Sequence, residues 1–564
     1  MVRMCWFLAT KKSIIKHMKK LKYFTIIAVV LVTAVAAHPN KDKYFEIVKN
    51  LDIFATLYKE VNAYYVDDVN PSTVMRTGIE AMLASLDPYT NYIPEDDIEN
   101  YRTATTGEYA GIGALVDVKD GISTVILPYE GFAADRAGLK IGDQILRING
   151  IEIKGKPTAD TKKLLNGQAR SEITLKVKRY GVEKMFDIKL KREKITVKNV
   201  PFHGMVNDEI GYMRLTDFTT KAGNEVRGAL LDLKELGAKK IILDLRGNPG
   251  GLLNEAVNIC NVFIPQNQEV VTTRGKMEEW TQLYNTLNIA TDTEIPLVVL
   301  ISNGSASASE IVSGVMQDYD RGVLIGRKSY GKGLVQQTRP LAYNSQLKVT
   351  TAKYYIPSGR CIQALDYSNR NPDGSVGKVP DSLKSEFATA SGRLVFDGGG
   401  VDPDILVDRH DYAPVTISLL ENDLLFHFAT EYHFKNDSIA NPKKFRLSES
   451  EYGEFKTWLG DKKFSYQTEL EAQLEILNEV AAKDSHFKEI KPAIASLESK
   501  ISSTKQKDLT TYQTEIRTLL EQEIASRYYL ERGMIESTFQ KDADILKAVE
   551  VLSDLDRYNQ ILRK

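Results

Sequence analysis

Between residues 193 and 410, short continuous apolar runs alternate with stretches of helical spacing. The runs are "IIL" (241–243), "PLVVLI" (296–301) and "GVLIG" (322–326); the intervening stretches include "LLNEAVNICNVFI" and "ASEIVSGVMQDY". An apolar run with no polar alternation reads as a buried strand, and buried strands alternating with helices read as an α/β domain. The corners between them are rich in glycine and serine: "LRGNPGG" (245–251), "SNGSASAS" (302–309) and "GRKSYGKG" (326–333).

The flanks differ in pattern. From about residue 41 to 105, apolar residues recur at helical spacing and end in the turn-rich "DPYTNYIPEDD", which predicts a small helical domain. Residues 106–192 carry β-rich runs such as "GALVDV", "STVILPY" and "ITLKVKRY" between Gly/Asp/Asn turns, with one helical stretch, "TADTKKLLNG". Residues 411–564 are helical and charge-rich, and their charge runs read as solvated helix faces. The expected fold class is therefore multidomain α+β: an α/β core with an inserted β-domain, a helical N-terminal domain and a helical C-terminal extension.

Residues 1–37 hold seven Lys/Arg and no acidic residue, so 67 basic residues face 75 acidic ones beyond them. That balance gives no reason to expect nucleic acid as a partner. Within this segment "MKKLKYFTIIAVVLVTAVAA" (18–37) has a basic start, a short apolar stretch and small residues at Ala34 and Ala36, the pattern of a secretory signal. It predicts export to the periplasm or cell envelope, with an uncleaved anchor as the alternative, and Met18 opens a better signal than Met1. Cys260 and Cys361 show no C-x-x-C spacing and read as free thiols. His427 and His433 lie among aromatic residues, where core or surface roles outweigh a metal site.

The strand-turn-helix reading of "PLVVLISNGSASASEIVSGVM" puts Ser305, Ser307 and Ser309 at a helix N-terminus, where free N–H groups stabilise an anion. Helix capping and packing are the plain alternative. "GRKSYGK" resembles a phosphate-binding loop, but Gly333 stands where Ser or Thr would bind magnesium, and an extended segment follows in place of a helix. A serine nucleophile with a lysine base is the other chemical reading, and it stands beside the capping alternative. Such a lysine needs desolvation to be neutral near pH 7, and an uncharged partner, for which Gln336 is placed four residues beyond Lys332.

Eight motifs occur in order: "SLDPYTNYIP", "GIGALVDV", "AGLKIGDQILRING", "ILDLRGNPGGLLNEAV", "GSASASEI", "GKGLVQQ", "YYIPSGRCIQ" and "GGGVDPDI". Together they resemble the C-terminal processing peptidases, or tail-specific proteases, over residues 45 to 408. The resemblance implies Ser307 as nucleophile, Lys332 as base and Gln336 as the orienting residue; residue physics alone does not choose Ser307 over its two neighbours. It implies an oxyanion hole from Gly250 or Gly251 with the Ala308 amide. It also implies domains at 41–105 (N-terminal helices), 106–192 (PDZ-like), 193–410 (peptidase core) and 411–564 (extension). Ser–Lys chemistry requires no cofactor and no metal.

"EYAGIGALVDV" followed by "TADTKKLL" resembles a PDZ domain. There Gly111, Ile112 and Gly113 would present N–H groups to a peptide carboxylate, with Ala114 and Leu164 beside an apolar last side chain, while Leu165 reads as core. The expected partners are protein or peptide substrates with free, apolar C-termini, and the terminal helical regions are candidates for homodimer or adaptor contacts. The rival from another class is a catalytically silent PDZ adaptor that binds C-termini.

Overall fold

In a computed structural model, residues 40–371, 373–408, 411–462, 464–484 and 487–563 are described. The expected leader, residues 1–37, lies outside them. Among the described residues no helix is long and apolar enough to cross a membrane. The chain divides into two units, one ending at Pro88 and one starting at Tyr89. The first holds the helices Asn40–Tyr64 and Pro71–Ala84; Asn70 caps the second by accepting the Thr73 N–H, and Pro71 sits where a missing N–H costs nothing.

The second unit is built on a six-stranded sheet in the order Phe202–Met205, Ile210–Arg214, Lys240–Asp244, Leu297–Ile301, Val323–Gly326, Ile405–Leu406. The first pair is antiparallel and the rest are parallel. The apolar runs of the sequence are its central strands, and every residue of Leu297–Ile301 is buried. Helices Ala222–Glu235, Leu253–Phe263 and Ala308–Asp318 cover one face, with Leu243, Val299 and Leu324 facing Ile259, Val312 and Val315.

The other face is covered by the end of the chain. Ile535, Phe539, Ile545, Ala548, Val551 and Leu552 pack against Tyr212, Ile242, Val298, Leu300, Val323 and Ile325. The extension therefore supplies the second helical layer of the core. Its earlier helices form their own cluster, in which Leu425, Phe428, Tyr452 and Phe455 meet Ile516, Leu520 and Ile524.

The β-rich insertion is a six-stranded antiparallel sheet, Ala114–Lys119, Ile122–Pro128, Gln144–Ile148, Glu172–Lys178, Phe186–Lys191, with the short strand Ile151–Glu152 paired to Gln144–Ile148 and the helix Thr158–Leu165 beside it. Strands Glu108–Gly111 and Glu193–Thr196 pair with each other, so the chain enters and leaves the insertion side by side. Contacts with the extension hold its far side: Lys119 Nζ is 2.6 Å from Asp423 Oδ1, and Tyr180 donates its hydroxyl to Glu431 at 2.8 Å. A separate antiparallel sheet contains Asn91–Ile93, Gln346–Tyr355, Glu269–Gly275, Gln282–Asn285 and Leu334–Pro340. Cys260 and Cys361 are unpaired.

Candidate active site

Three neighbouring parallel strands end together, at Asp244, Ile301 and Gly326, with Asp244 opposite Leu300 and Ile301 opposite Gly326. Their loops are the three Gly/Ser-rich corners of the sequence, gathered where open α/β sheets bind ligands, outside the carboxyl ends of the strands.

The middle loop separates the three serines. Ser305 and Ser309 are fully buried: Ser305 donates to Leu245 O at 2.8 Å and accepts the Ser302 N–H, and Ser309 donates to Asn248 O at 2.9 Å. Ser307 is half-buried at the start of the helix Ala308–Asp318, with φ +56° and ψ −113°. A non-glycine residue in that conformation costs roughly 1–3 kcal/mol and persists only where its surroundings hold it.

Glu310 holds it. Its carboxylate, with no exposed surface, accepts the N–H of Ser307 at 2.8 Å, Lys332 at 2.9 Å and Gly331 at 2.7 Å, and the hydroxyl of Ser329 at 2.5 Å. Burial pushes this carboxyl up to about 7 against the pull of the four donors. Tyr354 fastens the same two residues from the other side, its hydroxyl 2.7 Å from Lys332 O and 3.1 Å from Ser307 O. Neither Glu310 nor Tyr354 was singled out from sequence. Glu310 carried a local signal, the Ser-x-x-Glu spacing of a capping box starting at Ser307; Tyr354, 47 residues from Ser307, carried none.

Lys332 is half-buried, its ammonium 4.5 Å from the centre of the Tyr89 ring. The glycines beside it permit close packing: a Cβ on Gly331 would lie 2.4 Å from Ala364 Cβ, and one on Gly333 2.9 Å from Gln363 N. Gln336 lies at a bulge in Leu334–Pro340 and donates Nε2 to Thr350 Oγ1 at 3.2 Å, while Thr350 N–H donates to Thr90 Oγ1.

The first loop brings Gly250 against Ser307. A Cβ on Gly250 would fall 2.6 Å from Ala306 O, 2.8 Å from Ala308 N and 2.9 Å from Ser307 Cβ. Its own N–H is engaged, donating to Asn248 Oδ1 at 2.9 Å. The resemblance implies Gly250 or Gly251 as an oxyanion donor; in the structure the Gly250 N–H is already hydrogen-bonded to Asn248 Oδ1, and its missing side chain permits the close approach to Ser307. Gly251 is exposed, and the Ala308 N–H opens its helix with no carbonyl one turn back within it.

At the insertion, a cavity of about 340 Å³ lies between the strand Ala114–Lys119 and the helix Thr158–Leu165. Ile112, Ala114, Leu115, Thr161 and Leu165 line it, and the strand is the edge of its sheet. Leu165 is buried in the domain core, as expected, and also lines the cavity; Leu164 is half-buried against the same core and is not part of the lining. Gly111 and Gly113 flank Ile112 at the head of the cavity, and Gly113 has φ +75°, backed by Phe132. The helix Ile98–Thr106 contributes the opposite wall through Thr103 and Ala104, and the peptidase core through Asp217 and Thr219.

Residues 209–368 match peptidase family S41, 124–179 match the PDZ domain, and 415–552 match the probable PDZ-protease C-terminal helical domain. A carboxy-terminal-processing protease of Bartonella bacilliformis is 36% identical over 342 residues, 60% of this chain and 77% of that one. A probable CtpA-like serine protease of Staphylococcus aureus is 36% identical over 358 residues, 61% of this chain and 71% of that one. Among solved structures, the photosystem II D1 C-terminal processing protease is similar at 25% identity and a TM-score of 0.35, covering 63% of this chain and 92% of that one. The chain belongs to peptidase family S41, and within it to the carboxy-terminal-processing serine proteases that carry a PDZ domain.

Proposed function

We propose that this protease captures the free C-terminus of a protein substrate in its PDZ cavity and cleaves the chain nearby by Ser–Lys acyl-enzyme chemistry. Lys332 Nζ takes the proton of Ser307 Oγ as the oxygen attacks the scissile carbonyl. The N–H groups of Ala308 and Gly251 stabilise the oxyanion, and the same amine returns the proton to the leaving nitrogen before water releases the acyl group. Gln336 orients the amine without adding a charge. The observation that carries this reading is the Glu310 carboxylate, which binds the peptides of Ser307 and Lys332 together at the carboxyl edge of the sheet.

At the PDZ cavity, an extended peptide would add beside the edge strand Ala114–Lys119, its carboxylate at the Gly111–Gly113 turn and its last side chain between Ile112 and Leu165. That apolar lining favours an apolar last residue. The basic and apolar segment at 18–37 supports work on proteins of the cell envelope.

The test is digestion of an unfolded protein with an apolar C-terminus by the purified protein, beside Ser307→Ala and Lys332→Ala. Cleavage by the parent alone is expected, and slower cleavage of a substrate amidated at its C-terminus. Retained cleavage by Ser307→Ala would refute the nucleophile; equal rates on acid and amide would refute carboxylate reading. Peptide binding without any cleavage by the parent would point to a silent adaptor.

A further inference from the structure

Arg246 opens the glycine-rich turn that follows the strand Lys240–Asp244. Its guanidinium faces three carboxylates. Nε and Nη2 donate to Asp244 at 3.0 and 2.7 Å, and Nη1 donates to Asp542 at 2.8 Å and to Asp544 at 2.7 Å. Asp244 belongs to the core strand. Asp542 and Asp544 come from the C-terminal extension, 296 and 298 residues further on. Asp542 is also the N-cap of the helix Ala543–Ser553, accepting the N–H of Asp544 and Ile545. That helix is seated on the sheet through Ile545, Ala548, Val551 and Leu552, so the two carboxylates are presented from a rigid element.

Downstream of Arg246 the same turn is tied to the nucleophile loop. Gly247 N–H donates to Ser302 Oγ at 3.1 Å. Asn248 O accepts the Ala306 N–H at 3.0 Å and the Ser309 hydroxyl at 2.9 Å, and Asn248 Oδ1 takes the Gly250 N–H. The turn that ends at Gly250 and Gly251 is thus anchored at one end by the nucleophile loop and at the other by the extension.

We infer that Asp542 and Asp544 are positioning residues for catalysis: through Arg246 they fix the turn that carries Gly250 and Gly251 against Ser307. Bonds between a guanidinium and carboxylates are charge-assisted and directional, which suits them to fix a backbone to within tenths of an ångström. Precision of that order matters at an oxyanion hole, where losing one donor lowers kcat by about 10²–10³-fold. The C-terminal extension then acts in the chemistry as well as in folding. This inference rests on the Ser–Lys reading above.

The test uses Asp542→Asn/Asp544→Asn in the full chain. Asparagine caps a helix as well as aspartate does, and Arg246 keeps Asp244 as a counter-charge, so the fold should survive. Sites competent to react are counted with a fluorophosphonate, and kcat is expressed per titrated site. The expected result is a drop in kcat of roughly tenfold or more with KM within about twofold, because a displaced donor weakens only the transition state. Faster amide exchange across residues 246–251 should accompany it, and Asp542→Glu should recover much of the loss. An unchanged kcat per titrated site would overturn the inference, since a merely structural fastening lowers only the number of competent sites. Asp544→Asn alone gives the same readout if the double variant is poorly folded. Ser307→Ala runs in parallel: if it stays active the Ser–Lys reading fails, and if it is inactive while the Asn pair keeps full kcat, only the clamp fails.

Discussion

Glu310→Gln should lower activity about 30-fold while leaving the fold standing. The carboxylate has two oxygens, each accepting two hydrogen bonds: Oε1 from Ser329 and Gly331, Oε2 from Ser307 and Lys332. A glutamine has one acceptor oxygen. The cheaper orientation keeps that oxygen on Ser307 and Lys332, turns the amide N–H₂ to the Ser329 hydroxyl and orphans the Gly331 N–H, at about 1–3 kcal/mol. Against this stands the charge itself. Burial moves the carboxyl from 4.5 to about 7, so at pH 8 the ionised form costs the fold about 3 kcal/mol relative to a neutral one. The two effects nearly cancel, and the melting temperature should stay within about 5 °C of the parent.

Activity does not cancel. The bonds to Ser307 and Lys332 change from charge-assisted to neutral and weaken by about 1 kcal/mol each. That loss of about 2 kcal/mol matches the roughly 1–3 kcal/mol of strain at Ser307 that the bonds oppose. If it enters the barrier, kcat falls about 30-fold. The assay is kcat and KM on a peptide substrate at pH 8, with thermal unfolding measured on the same samples. A kcat within about twofold of the parent would refute the positioning role, and a fall in melting temperature beyond about 10 °C would show that the carboxylate serves stability first.

The same group makes stability depend on pH. The folded chain holds the Glu310 proton up to about pH 7, whereas the unfolded chain releases it near 4.5, so the group's contribution to stability falls as pH rises through that window and levels off above it. The stability difference between parent and Glu310→Gln, measured by urea unfolding, should shift against the parent by about 3 kcal/mol between pH 4.5 and 7; a difference constant with pH would contradict the buried carboxyl. Gly250→Ala should nearly abolish peptidase activity, because its Cβ would lie 2.6 Å from Ala306 O at φ +94°. Gly247→Ala, at φ +73° with open space around it, should cost only about 1 kcal/mol of stability. Similar activities for the two alanines would show that close approach to Ser307 is not what Gly250 provides.

Much of the site was legible locally. Apolar runs at 241–243, 297–301 and 323–325 read as buried strands, and the polar loops after them had to fall at their ends. The glycines around Lys332 announced close packing before any partner was known. The choice among the serines was not legible, because Ser305, Ser307 and Ser309 have the same side chain and alternate positions. Burial distinguishes them: two hydroxyls are engaged with carbonyls from the neighbouring loop, and Ser307 is half-exposed in a strained backbone. That Leu165, read as core, also lines the cavity in place of Leu164 was not legible for a related reason, since one residue is about 100° on a helix and the phase depends on what the helix packs against.

Sequence by itself determined the α/β core, the order of the domains, and serine, lysine and glycine at three loop positions, because these follow from short-range periodicity and the steric demands of single residues. Tertiary structure alone decided that Ser305 and Ser309 are buried while Ser307 is half-exposed in a strained backbone, that Glu310 and Tyr354 tie Ser307 to Lys332, and that residues 535–562 form the second layer of the core with Asp542 and Asp544 on Arg246. Those contacts join groups up to about 300 residues apart. No local pattern encodes such a pairing, since a buried charge or a covered sheet face is satisfied by whichever distant segment the packed chain brings to it.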